Sequence, residues 1–219
     1  MPLFYQHSIN EAAKLGVWRI AEDELFFLES VPLQRSITHP HKRLQHLAGR
    51  WLLKYLYADF PYDLIKIADT RKPFLLNEAY HFSISHCGDY AAAIVSNKHR
   101  VGVDIEKPAE KIERIQYKFL NDSEIDFIDS GSWRGLSGKL SRIQMLTLLW
   151  SAKEAVFKWY GHGEVDFSSH ILLQKIHFTE SNNSIIAGEI DCEFLKIATT
   201  NLTLKFHWLE EIWLVYVVT

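Results

Sequence analysis

Two stretches of the chain repeat apolar residues at helical spacing. Over residues 39–57, Leu44, Leu47, Trp51 or Leu52, Tyr55 and Leu56 recur three or four positions apart, which predicts a long helix limited by Pro61. Its polar face carries Lys42, Arg43, His46, Arg50 and Lys54 and reads as strongly basic. Residues 141–160 predict a second long helix, stopped by Gly161 and Gly163. Leu149, Ala155, Val156, Phe157 and Trp159 surround that helix with apolar surface, so it is expected to be buried. Elsewhere the period is two. Residues 80–86 set Phe82 and Ile84 against Ser83 and Ser85, a strand pattern, and 90–96 is a second strand. After a polar turn at 97–100, residues 101–106 form a third strand, most simply the hairpin partner of the second, ended by Lys107 and Pro108. Residues 16–31 open with Val17, Trp18 and Ile20 and continue as a short helix with Glu22, Asp23 and Glu24 in its first turn. Residues 111–129 read as a charged helix holding Glu124, and 130–139 as a loop of small residues. The remainder holds four strand segments, 171–178, 184–190, 202–208 and 212–218, with a hairpin turn at Asn182 and Asn183. Strands grouped in this way, rather than alternating with helices, predict an α+β fold. Both long helices contain Trp-x-x-Lys (Trp51 to Lys54, Trp150 to Lys153), an echo that suits two similar halves and chance equally.

Composition narrows the class. A chain of 219 residues with 47% hydrophobic and 23% charged residues is globular, and its length suits one large domain or two small ones. A net charge of −3 argues against a general nucleic-acid binder. Two cysteines, Cys87 and Cys192, define no disulfide framework. The first thirteen residues lack a basic start followed by an apolar run, and the longest apolar run, 212–218, is far below the ~20 residues that span a bilayer. A cytoplasmic protein, with no membrane and no nucleic-acid partner, is expected.

Several residues can carry chemistry. Asp104 and Glu106 lie two apart on a strand and so share a face, with Val103 and Ile105 turned to the core. Such a carboxylate pair suits Mg²⁺, which takes an oxygen shell and keeps waters or substrate phosphates, although a solvated strand end has the same pattern. Glu154 and Lys158, four apart on the second long helix, are a surface ion pair or a metal carboxylate beside a phosphate-binding cation. Cys87 beside His86 is no dyad by adjacency alone, since partners are set in space. Ser85 and His86 at a strand end are able to hydrogen-bond a phosphate, and Lys72 precedes the backbone constraint of Pro73. No Cys/His set has zinc spacing, and neither GxGxxG nor GxxxxGK[ST] occurs.

Taken in order, Lys72-Pro73, Ser83-Ile84-Ser85-His86, Gly102-Val103-Asp104-Ile105-Glu106 and Trp150-Ser151-Ala152-Lys153-Glu154-Ala155-Val156-Phe157-Lys158 strongly resemble the motifs of the 4′-phosphopantetheinyl transferase superfamily, of the monomeric, double-length, surfactin-synthetase-activating type. The last two motifs are the specific ones, and the resemblance spans residues 40–165. It implies a pseudo-dimer of two similar α+β halves, 1–103 and 104–219, with the active site in the cleft between them. It implies transfer of phosphopantetheine from coenzyme A to a serine of an apo acyl or peptidyl carrier protein, releasing 3′,5′-ADP. Asp104, Glu106 and Glu154 would then hold Mg²⁺. Glu154 would also take the serine proton, and Lys158 would contact the pyrophosphate. Ser85 and His86 would bind phosphate oxygens, and Lys72 the nucleotide end. Either Arg43 or Arg50 would meet the 3′-phosphate. Glu124 would be a second acid or base.

Arg71 stands where the family carries Gly before Lys-Pro, a position where Gly permits backbone angles that Arg resists. Two other classes fit the same residues: a descendant that binds coenzyme A or a carrier without transfer, and a Mg²⁺-dependent nucleotide phosphohydrolase. The three carboxylates speak against the first. A hydrolase would consume coenzyme A without any carrier.

Overall fold

The computed structural model describes residues 3–219 apart from 32, 34, 35, 71, 132, 134–139 and 181–185. The fold is mixed α+β, and the chain divides into two compact units, Met1–Ile105 with Val218–Thr219, and Glu106–Val217.

The first unit runs β1 (Leu3–Asn10), β2 (Ala13–Arg19), α1 (Glu24–Leu28), α2 (Pro40–Leu56), β3 (Ile65–Ile67), β4 (Pro73–Leu75), β5 (His81–Cys87), β6 (Tyr90–Ser96) and most of β7 (Val101–Glu106). Four strands form an antiparallel sheet in the order β1-β2-β6-β5. The long helix expected near 39–57 is α2. Pro40 sits in its first turn, where the missing N–H costs nothing. Leu47, Leu52, Leu53 and Leu56 go into a core with Ala91, Ala93 and Val95 of β6, and each fully buried leucine contributes about 1.5–3 kcal/mol. The small side chains on β6 let the helix sit close. A Cβ added at Gly49 would meet Ile84 Cγ2 at 2.5 Å.

Two expectations change here, and two elements are added. Strand β6 is not the hairpin partner of β7, because β2 and β5 already occupy both of its edges. The face of α2 read as basic and polar is partly interior: His46 and Arg50 are buried while Lys42 is exposed. The β1–β2 hairpin and the short β3–β4 ribbon were not expected at all.

The second unit runs α3 (Lys111–Ile115), α4 (Asp122–Ser130), α5 (Arg142–Tyr160), α6 (Phe167–His170), β8 (Ile171–Glu180), β9 (Ile186–Phe194), β10 (Thr200–Leu209) and β11 (Ile212–Val218). The four strands pair antiparallel in sequence order. Leu146, Leu149, Ala152 and Val156 of α5 join Phe206, Trp213 and Val215 of the sheet in one core. Ser141 and Gln144 close a capping box at the start of α5, and Gly161 ends it in the left-handed region at φ 77°. The single helix expected over 111–129 is broken. Phe119 and Leu120 turn inward, and Asn121 with Glu124 forms a second capping box that starts α4 afresh. The turn at Asn182 and Asn183, and most of the loop 130–139, lie outside the described residues. Among the described residues, no helix is long and apolar enough to cross a membrane.

Candidate functional site

In the first unit, alternation on β5 gives its two serines a common direction, and both reach β7. Ser83 Oγ accepts the Val103 N–H at 3.2 Å, and the Ser85 hydroxyl donates to Asp104 Oδ1 at 2.8 Å. Strand β7 is covered on both faces up to its last residue, so Asp104, at 3% exposure, is not on a solvated face as its position suggested. A carboxylate kept out of water needs polar partners, and the Ser85 hydroxyl is one. Glu106, two residues on, shares that face of the strand and is half-buried. Period two also sends Ser85 and His86 to opposite sides of β5, Ser85 buried and His86 exposed.

Lys72 immediately precedes β4, and its carbonyl accepts the Ala68 N–H at 2.9 Å. Burial pulls its ammonium down from the ordinary lysine value to about 8, and the Arg100 charge adds to the shift. Arg71 lies outside the described residues. The two candidate arginines of α2 differ in setting. Arg43 holds Glu24 Oε2 at 2.7 Å and donates to the Ile37 carbonyl, fastening α2 to α1. Arg50 is buried and its Nη1 stands 3.0 Å from His46 Nδ1.

In the second unit, α5 is buried along most of its length, and Trp150, Glu154, Phe157 and Lys158 make its half-buried stripe. Spacings of four, seven and eight residues place these four on one side of a helix. Trp150 packs edge-on against Phe119 and also meets Phe167. Together with Glu106, Lys107, Ile112, Ile115 and Thr147 it lines a niche of about 80 Å³. One turn deeper, Lys153 is fully buried, and its Nζ binds Glu124 Oε2 at 2.6 Å and the Phe167 carbonyl at 2.9 Å. Burial lowers the Lys153 ammonium from its ordinary value, and the Glu124 carboxylate opposes that shift. Glu124 Oε2 also accepts the Asn121 N–H, and Oε1 accepts the Leu173 N–H, each at 2.9 Å. These contacts anchor the Glu124 carboxylate to α5, to the start of α4 and to β8. Sequence reasoning missed the pairing because 29 positions separate the two residues. The available signal was a lysine on an otherwise apolar helix face.

Cys87 is half-buried and Cys192 buried, both as free thiols. Burial pushes the Cys192 thiol up to about 12, which leaves it inert. No group of three or more His, Cys, Asp or Glu side chains gathered as a metal site occurs among the described residues. Carboxylate oxygens, the donor type of Asp104, Glu106 and Glu154, are what Mg²⁺ takes, one or two of them together with substrate phosphates.

A family model described as the 4′-phosphopantetheinyl transferase superfamily matches residues 100–213, just over half of the chain. Among curated proteins, an L-aminoadipate-semialdehyde dehydrogenase-phosphopantetheinyl transferase of Xenopus laevis is 30% identical over 162 residues, 66% of this chain and 50% of that protein. Enterobactin synthase component D of Escherichia coli O157:H7 is 34% identical over 120 residues, 53% of this chain and 54% of that protein. A protein named 4′-phosphopantetheinyl transferase gsp, of Aneurinibacillus migulanus, is 28% identical over 117 residues, 53% of this chain and 46% of that protein. The chain thus spans about half the length of the curated relatives it matches.

Proposed function

The chain belongs to the 4′-phosphopantetheinyl transferase superfamily, and from that premise we propose that it moves phosphopantetheine from coenzyme A to a serine hydroxyl of an apo acyl or peptidyl carrier protein. The observation that carries this reading is that the matched stretch 100–213 contains Asp104, Glu106, Glu154 and Lys158, the residues the chemistry needs. The serine oxygen forms a bond to the phosphorus that bears the pantetheine arm. The bond from that phosphorus to the bridging oxygen breaks, and adenosine 3′,5′-bisphosphate leaves.

Each residue has a task in this reading. Asp104, oriented by the Ser85 hydroxyl, Glu106 and Glu154 are the oxygen donors for Mg²⁺. When bound there, Mg²⁺ offsets the charge that develops on the leaving phosphate. Glu154 accepts the serine proton, directly or through one water. Lys158, one turn on from Glu154, contacts the pyrophosphate, and His86 reaches a phosphate oxygen from the exposed side of β5. Lys72 serves the nucleotide end. Arg43 or Arg50 serves the 3′-phosphate, and Arg43 would first have to exchange its Glu24 partner. The protein acts as a monomer in the cytoplasm.

The test is the intact mass of an apo carrier protein incubated with this protein, coenzyme A and Mg²⁺. Gain of one phosphopantetheine group, abolished when the carrier serine is changed to alanine, is the expected result. No gain across several unrelated carriers, with coenzyme A still bound, would overturn transfer in favour of a binding role.

A further inference from the structure

Lys153 and Glu124 form a buried pair that the reaction proposed above does not use. Lys153 is wholly inaccessible and Glu124 is 5% exposed. Their contacts tie four places in the second unit together: mid α5 through Lys153, the N-cap of α4 through Asn121, the start of α6 through the Phe167 carbonyl, and β8 through the Leu173 N–H. Leu173 also marks the point where the β8–β9 register shifts before resuming at Ile176, so the anchor grips the sheet at its irregular point.

Stability alone does not account for an ion pair here. Leu149, Ala152 and Val156 surround the position with apolar packing, and a buried ion pair is commonly no more stabilising than well-packed apolar residues of the same volume. An apolar contact, however, is non-directional, whereas a pair bound at 2.6 Å and held by backbone groups on three sides is fixed in direction. Lys153 directly precedes Glu154, which lies 100° around the helix and 1.5 Å along it. Whatever fixes the angle of Lys153 therefore fixes the angle of the stripe that carries Glu154 and Lys158. A glutamate carboxylate stands about 6 Å from the helix axis, so a 10° rotation would carry it about 1 Å. Misplacement on that scale costs on the order of 10²-fold in rate.

We infer that Lys153 and Glu124 are positioning residues that set the rotational phase of α5 and thereby aim Glu154 and Lys158. This rests on the transferase reading above. The test is carrier-transfer kinetics and thermal melting of wild type, Glu124→Gln and the double variant Glu124→Met/Lys153→Met. The double variant removes both charges but also withdraws the partners of the Asn121 and Leu173 N–H groups and of the Phe167 carbonyl, so it is expected to fold but to melt several degrees below wild type. Its kcat is expected to fall about 10²-fold with the coenzyme A KM changed less than threefold. Glu124→Gln keeps the side-chain shape and is expected to lose about tenfold in kcat at unchanged KM. A folded double variant with wild-type kcat would reduce the pair to packing and overturn the inference. Should the double variant not fold, wild-type kcat in Glu124→Gln would overturn it equally. Absence of transfer by the wild-type protein itself would instead remove the transferase reading, and this inference with it.

Discussion

At the scale of single residues, burial decides which candidates can do what the sequence suggests. Glu154 and Lys158 remain half-buried on a helix buried along most of its length, which is the condition for charged groups that meet a substrate. Glu154→Gln is expected to lower transfer on the order of 10²–10⁴-fold, the usual contribution of a proton-accepting group, with an unchanged melting temperature. Normal turnover in that variant would take Glu154 out of the chemistry. Lys158→Ala should raise the coenzyme A KM on the order of tenfold or more, as loss of one charge-assisted hydrogen bond implies. Unchanged kinetics would return Lys158 to an ordinary surface pair. Lys72 allows a pH test. Its folded value of about 8 lies below the ordinary 10.5, so the unfolded chain keeps a proton that the folded chain has released between those two values. Stability from this group therefore rises with pH across about 8 to 10.5, and is reduced below it. Ligand binding runs the opposite way, since a phosphate needs the cation. Coenzyme A affinity measured by calorimetry should weaken as pH passes 8 in the wild type and stay level to pH 9.5 in Lys72→Arg, whose guanidinium keeps its charge. A level wild-type profile would separate Lys72 from the nucleotide.

At the scale of elements, capping and close approach set the geometry. Asn121→Ala removes the side-chain acceptor for the Glu124 N–H and is expected to cost about 1 kcal/mol, a drop of about 2–4 °C in melting temperature for a chain of this size. Gly188 is the stricter position. It faces Phe178 and Phe206 across β8 and β10, and an added Cβ would collide with the His177 carbonyl and meet Phe206 Cζ at 2.6 Å. Gly188→Ala should therefore melt well below Asn121→Ala, and a variant as stable as wild type would show that β9 can shift. The same elements show what sequence reading can reach. Helices α2 and α5 and strands β5, β6 and β7 were legible, because one-sided apolar spacing and caps are local signals. The pairing of β7 was not, since β6 pairs on one edge with its neighbour β5 and on the other with β2, far earlier in the sequence. The break between α3 and α4 was missed although Asn121 and Glu124 have capping-box spacing, because the charges on either side continue the helical pattern. Asp104 and Glu106 were found as a pair, but the burial of Asp104 depends on what covers β7 and is invisible in its own alternation. Lys153 stands in the Trp-x-x-Lys echo and in the motif that carries Glu154, and neither signals its burial. The structure separates the two lysines of that echo, with Lys54 Nζ reaching the Ser30 carbonyl near the surface and Lys153 wholly buried.

At the scale of the whole molecule the question is whether the protein transfers a group or merely cleaves a nucleotide, and dependence on metal and on carrier answers it together. The donors proposed above are carboxylates alone, which would select a small hard cation that keeps part of its shell for phosphate oxygens. Chelation with EDTA is expected to stop phosphopantetheine transfer without lowering the melting temperature by more than a few degrees, because each of the two units has a hydrophobic core of its own and needs no ion to fold. Mg²⁺ should restore turnover, and Ca²⁺ should restore much less, since it prefers six to eight ligands at longer distances and holds an in-line geometry loosely. Transfer that continues in EDTA would remove the carboxylates from metal binding. Adenosine 3′,5′-bisphosphate should then appear one for one with modified carrier and cease when the apo carrier is exhausted. If it instead accumulates in the presence of Mg²⁺ with no carrier added, water rather than a serine is the acceptor. In that case the same carboxylates, lysine and helix serve a hydrolase.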